Sequence, residues 1–205
     1  MAFSSRSGNM ANPATKPSRP GRVLATIVFT DAVNFSGRMN ADESRTVHLI
    51  HRDLAFITKT CEAHGGRVLK NTGDGLLIYF GSAGQAIESA MKVQAAFAKA
   101  ADAAPAGSLL QHRIGIHLGD VFLTENDVIG EGVNVAARVL TEAEPGGICF
   151  SQTVYDVVKN RLGVKATRTW LWGSTGVSRR TIGGPACRYW PRARMRRCAN
   201  SPRRN

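Results

Sequence analysis

Between Arg67 and Phe80 the chain reads RVLKNTGDGLLIYF. Two runs rich in apolar and β-branched residues flank Asn-Thr-Gly-Asp-Gly, so the segment reads as an antiparallel hairpin. The hairpin needs a neighbour to bury its apolar face, and the preceding RVLATIVFTD (Arg22 to Asp31) supplies a strand of the same character. Between them, Val47, Ile50, Leu54, Ile57 and Cys61 recur at three and four, one face of a helix that Gly65 and Gly66 end. After the hairpin, SAGQAIESAMKVQAAFAKAA reads as a second amphipathic helix with Ser82 at its N-cap. LLQHRIGIHLGDVFL alternates like two paired strands with a turn near Gly119-Asp120. GVNVAARVLTEA predicts a helix, GGICFS a short buried strand, and SQTVYDVVKN a helix capped by Ser151. The order β-α-β-β-α-β followed by further elements predicts an α+β fold with a ferredoxin-like core.

The 205 residues have room for one ordinary domain and a tail, and a 43% hydrophobic share is enough for a real core. No apolar run reaches the roughly 18 residues of a membrane span. Residues 1–21, rich in Ser, Pro, Asn and basic residues, lack the apolar segment of a secretory signal and read as a disordered leader, with Met10 as acceptable a start as Met1. Cys61, Cys149, Cys187 and Cys198 show no CxxC spacing, which points to a reducing compartment without structural zinc. The net charge of +12 is uneven. Residues 1–166 carry 17 basic and 15 acidic side chains, whereas 167–205 carry 10 arginines and neither lysine nor acid. Ten arginines bind phosphates without sequence preference, and no recognition motif accompanies them, so no specific nucleic acid is expected.

Asp31 ends the first strand and Asp74 sits in the hairpin turn beside it. Each alone is equally a strand-end or turn charge; converging, they suit a pair of divalent cations on phosphate oxygens. The loop AVNFSG after Asp31 has backbone N–H groups suited to phosphate as it enters a helix. Arg113 is either a surface arginine or a phosphate contact. Asn134 and Arg138 lie four apart on one helix face; they read as ordinary polar residues or as an amide and guanidinium for a sugar and a phosphate. Asp127 precedes them in a loop, placed to accept from the amino group of a base. His48 and His51 have metal-compatible spacing but no third ligand, and read as structural. Neither a P-loop nor a G-x-S-x-G elbow is present.

Taken in order, FTDAVNFS, RVLKNTGDGLLIYF, RIGIHLGDV, DVIGEGVNVAARV and PGGICFSQTVYDVV resemble the class III nucleotidyl cyclase catalytic domain, of the bacterial adenylate cyclase type, over about residues 22 to 166. The resemblance implies an adenylate cyclase that turns ATP into 3′,5′-cyclic AMP and pyrophosphate. It implies Asp31, Asp74 and the Ala32 backbone carbonyl as ligands of two divalent cations, Mg²⁺ or Mn²⁺. Lys70 and Asp127 match the residues that read adenine; guanylate-selective members usually carry Glu and Cys there. Arg113 matches a triphosphate-binding arginine and Phe35 a substrate contact. Asn134 matches the asparagine that orients the ribose and Arg138 the arginine that stabilises the transition state. A two-fold homodimer with shared sites and a cytoplasmic setting are implied as well.

The resemblance ends at about Thr167. Family members continue with further strands and a triphosphate-binding lysine, whereas this chain has no lysine beyond Lys165 and residues 167–205 show no lasting periodicity. Such a segment reads as a basic irregular tail, of the kind an out-of-frame domain end would produce. The alternative to an active cyclase is therefore a catalytically impaired, cyclase-like nucleotide-binding or regulatory module.

Overall fold

A computed structural model describes residues 21–124, 127–160, 166–169 and 179–182. The expected leader, apart from Gly21, and most of the expected tail lie outside the described residues. In chain order the elements are β1 (Gly21–Ala32), α1 (Phe35–Ala41), α2 (Glu43–Ala63), β2 (Gly66–Asn71), β3 (Leu76–Phe80), α3 (Ala83–Asp102), β4 (His112–Leu123), β5 (Val128–Ile129), α4 (Glu131–Thr141), β6 (Ile148–Ser151), α5 (Gln152–Val158), β7 (Ala166–Thr169) and β8 (Arg179–Ile182). The α+β expectation holds: one mixed sheet runs β2-β3-β1-β4-β6-β8-β7, with β5 added to β4.

Strand alternation divides the apolar residues between two faces. Val28, Ile78, Phe80, Ile114, Ile116 and Phe150 meet Leu54 and Ile57 of α2, Ile87 and Val93 of α3 and Val154 of α5 in the main core. Ala25, Ile27, Leu77 and Val121 point the other way and pack with Val128 and with Ala136 of α4. Cys149 also faces α4, against Val139 and Ala143.

Three sequence expectations are corrected. β4 is one unbroken strand, with no turn at Gly119-Asp120: it pairs with β1 over its whole length, from Gly21 opposite Leu123 to Ala32 opposite His112. Gly119 makes no turn; a Cβ there would lie 2.7 Å from Nε2 of the His117 ring, while the Gly132 Cα of α4 stands at an ordinary contact distance of 3.5 Å. The second half of AVNFSG is already helical, because α1 begins at Phe35 after Asn34 takes a left-handed conformation (φ 57°). In the tail, where periodicity gave no packed element, β8 pairs antiparallel with β6 and with β7. Four-residue strands are too short to show a period, and an open sheet edge recruits backbone N–H and C=O groups whatever the side chains. Ser82 and Ser151 do occupy N-cap positions, but neither side chain makes the capping bond. α2, by contrast, is capped by Asp42, whose carboxylate accepts from the Arg45 N–H at 3.0 Å.

A network of polar side chains is buried beside the main core. Asp53 and His112 are 2% and 1% exposed. Asp53 Oδ1 accepts from Arg52 Nε (2.9 Å) and Nη2 (2.7 Å), and Oδ2 lies 3.1 Å from His112 Nε2. The His112 ring stacks on Phe97 at 4.9 Å, and Gln94 Nε2 donates to the His112 carbonyl at 2.9 Å. A buried carboxylate needs such partners. Asp53→Ala, which strands both Arg52 and His112, is expected to cost about 2–4 kcal/mol in urea denaturation; Asp53→Asn, which keeps hydrogen-bonding capacity, is expected to cost less.

Candidate active site

The site forms where β1 ends. Asp31 belongs to the α4-side face, in alternation with Ile27 and Phe29. Pairing sets it opposite Arg113, whose Nε donates to Asp31 Oδ2 at 2.7 Å. Both side chains are partly exposed, at 18% and 30%. The β2–β3 turn is fastened to the same strand end: the Ala32 N–H donates to the Asp74 carbonyl at 2.9 Å, and the Leu76 N–H to Thr30 Oγ1 at 2.9 Å. Gly75 permits this, because a Cβ there would fall on the Thr30 carbonyl. Within the turn, Gly73 takes φ 99° and its N–H donates to Asn71 Oδ1 at 2.8 Å.

Asp74 is thereby brought beside Asp31, close enough for the two carboxylates to interact. Its carboxyl is held above the usual aspartate range, first by burial and then by the charge of Asp31. Two crowded carboxylates, one answered by a guanidinium and the other resisting ionisation, are a hard-oxygen donor set that fits a divalent cation. Of the phosphate-binding groups expected after Asp31, the Ala32 N–H is engaged by Asp74 and the Val33 N–H by the Gln111 carbonyl at 2.8 Å. Ala32 is buried, and Phe35 packs its partly buried ring against the main core.

The remaining expected residues lie apart from this group. Lys70 is exposed on β2. A bulge places one extra residue, Leu69, between the pairs Val68–Ile78 and Lys70–Leu77. Lys70 consequently shares the face of Leu77, the α4 side, where unbroken alternation would have sent it to the main-core side. Asp127 is partly buried beside β5, and its Oδ1 accepts from the Val128 N–H at 2.8 Å. Asn134 and Arg138 share the exposed side of α4, opposite the buried Ala136 and Val139. Among the described residues, no hydrogen bond or ion pair joins Lys70, Asn134 or Arg138 to the Asp31–Asp74–Arg113 group. His48 and His51 are exposed on α2.

Sequence reasoning passed over Thr30, Leu69 and the Arg113–Asp31 contact. Each depends on which strands become neighbours, and no local pattern signals it.

The raised Asp74 sets a sign for stability. Its folded-state affinity for a proton exceeds that of the unfolded chain, so its contribution is fully present below the ordinary aspartate range and is lost as pH rises through the raised value. Asp74→Asn is therefore expected to raise the unfolding midpoint at neutral pH in the presence of a chelator. The gain is expected to vanish below the ordinary aspartate range, and thermal denaturation across pH checks it.

The family of adenylate and guanylate cyclase catalytic domains matches residues 21–173, well over half of the chain. A Rhizobium meliloti protein named "Putative adenylate cyclase 3" is 40% identical over 144 residues, covering 70% of this chain and 24% of that protein, so the chain spans about a quarter of that relative's length. The solved adenylate/guanylate cyclase/hydrolase from Silicibacter pomeroyi is 31% identical with a TM-score of 0.70, covering 80% of this chain and 99% of that one. The adenylyl cyclase CyaB from P. aeruginosa has the same fold at 20% identity, with a TM-score of 0.70 over 80% of this chain and 95% of that one. The chain therefore belongs to the adenylate and guanylate cyclase catalytic-domain family.

Proposed function

We propose that this chain converts ATP to 3′,5′-cyclic AMP and pyrophosphate, by attack of the ribose 3′-hydroxyl on the α-phosphorus of the same nucleotide. The observation that carries this reading is the convergence of Asp31 and Asp74 at the end of β1, with Arg113 beside them. Mg²⁺ or Mn²⁺ held by these carboxylates and the Ala32 carbonyl would lower the hydroxyl's pKa and offset phosphoryl charge. Arg113 then binds the triphosphate, and Phe35 contributes to the substrate pocket. Asn134 orients the ribose, and Arg138 answers the negative charge that grows on the phosphorus oxygens. No side-chain nucleophile is required, so catalysis is largely positioning and electrostatics.

The choice of ATP rests on Lys70 and Asp127. Adenine offers an amino donor at N6, which a carboxylate accepts, and a ring acceptor at N1, which an ammonium satisfies. Guanine reverses both, so this pair would oppose it.

Lys70, Asn134 and Arg138 stand on elements apart from the aspartates and are exposed. This supports a two-fold homodimer in which one chain supplies Asp31 and Asp74 and the other Lys70, Asp127, Asn134 and Arg138. Leu24, Phe122 and Ile129, exposed at 65%, 46% and 62% on β1, β4 and β5, are apolar surface that a second copy would cover. No helix among the described residues is long and apolar enough to cross a membrane, and use of ATP places the reaction in the cytoplasm. The catalytically impaired module is the second reading, favoured by the absence of any lysine beyond Lys165.

The purified chain with Mn²⁺ is expected to form cyclic AMP from ATP and little cyclic GMP from GTP, and Asp74→Ala to abolish turnover. No product from a folded, nucleotide-binding chain would favour the second reading. Asp31→Ala and Asn134→Ala chains, each inactive alone, are expected to recover about a quarter of normal activity when randomly mixed, because half the dimers then carry one intact site of two. Continued silence from a verified mixed dimer would rule out shared sites.

A further inference from the structure

Arg67 takes no part in the reactions described above, yet it joins two elements to which base recognition has been assigned. On a regular strand, residues three apart face opposite ways. The bulge at Leu69 changes this for β2: Arg67 pairs with Tyr79 and Lys70 with Leu77, and both partners belong to the α4-side cluster. Arg67 and Lys70 therefore share one face.

From that face the Arg67 guanidinium reaches in two directions. It lies 5.6 Å from the centroid of the Tyr79 ring, a cation–π distance that keeps its plane in place. Its Nη2 donates to the Thr124 carbonyl at 3.3 Å, across 57 residues of chain. Thr124 in turn holds Asp127: its N–H and its Oγ1 both donate to the Asp127 carbonyl, at 2.9 and 3.0 Å, and the Asp127 N–H donates to Thr124 Oγ1 at 3.0 Å. A continuous connection thus runs from the strand of Lys70, through Arg67 and Thr124, to Asp127. β2 needs such an anchor, because among the described residues it is the edge of the sheet, with β3 as its strand partner.

We propose that Arg67 is the positioning residue for purine selection: it fixes the separation between Lys70 and Asp127, so that one ammonium and one carboxylate meet the two edge groups of a single base. This rests on the adenine reading of Lys70 and Asp127. Selection between bases that differ in donor and acceptor order requires a fixed separation, since a loose pair admits bridging water and accepts either base. With its guanidinium held by Tyr79 and Thr124, Arg67 acts through the Lys70–Asp127 pair, so its removal acts on base discrimination and leaves the phosphate chemistry in place.

The test compares the full chain with Arg67→Gln, and with Tyr79→Leu as a second variant that removes the stacking partner but not the guanidinium. Binding of non-cyclisable ATP and GTP analogues is titrated in Mn²⁺, and amide hydrogen exchange is followed at Thr124 and Asp127. Arg67→Gln is expected to weaken the ATP analogue about tenfold, the scale of one lost charge-assisted bond, while leaving the GTP analogue unchanged. Exchange at both amides is expected to quicken several-fold. In turnover, KM for ATP rises and kcat at saturation is kept. Tyr79→Leu is expected to move selectivity in the same direction by a smaller factor. Unchanged selectivity in folded Arg67→Gln, beside an unmodified chain that discriminates, overturns the inference alone. An unmodified chain that binds both analogues equally overturns the adenine reading, and the inference with it.

Discussion

The full-length antiparallel pairing of β1 with β4 is the constraint on which the site depends. Twelve consecutive pairs, from Gly21–Leu123 to Ala32–His112, lock the register of the two central strands. A slip of one residue would turn every side chain to the opposite face. In the observed register Asp31 stands opposite Arg113, and the same strand end takes up the Asp74 turn through Ala32 and Thr30. An ion pair and a carboxylate pair thus share one strand end.

Two acids illustrate how environment decides what a carboxylate does. Asp53 lies in the main core, where Arg52 and His112 answer both of its oxygens. Asp74 lies at the opening of the sheet beside another carboxylate, and burial together with that neighbour disfavours its ionised form. A compensated acid holds structure together; an undercompensated one supplies charge that a cation can answer.

Much of the architecture was legible because its signals are local. The apolar recurrence from Val47 to Cys61 gives α2, the Asn-Thr-Gly-Asp-Gly turn gives the β2–β3 hairpin, and the run from Arg22 to Asp31 gives β1. Where one local signal has two physical causes, the reading went astray. Gly119 was read as a turn glycine, but it lies inside an unbroken strand, where a Cβ would meet the His117 ring. The start of α1 within Ala32–Gly37 looked like loop because the seven residues of that helix are too few for a helical period to show. The two strands of the tail were invisible because a sheet edge accepts backbone with little regard to side-chain pattern.

By itself the sequence nominated the residues proposed to carry the chemistry: the ordered motifs point to Asp31, Lys70, Asp74, Arg113, Asp127, Asn134 and Arg138. It also determined the helices and strands that bear them, since hydrophobic period and turn chemistry act within a few residues. Only the tertiary structure decided how those residues are grouped. It joined Asp31, Asp74 and Arg113 through strand register, turned Lys70 to the α4 side through one extra residue at Leu69, and tied the strand of Lys70 to Asp127 through Arg67. Those arrangements depend on contacts between segments 46 to 82 residues apart, and the free energy that selects them comes from burying both faces of the sheet at once.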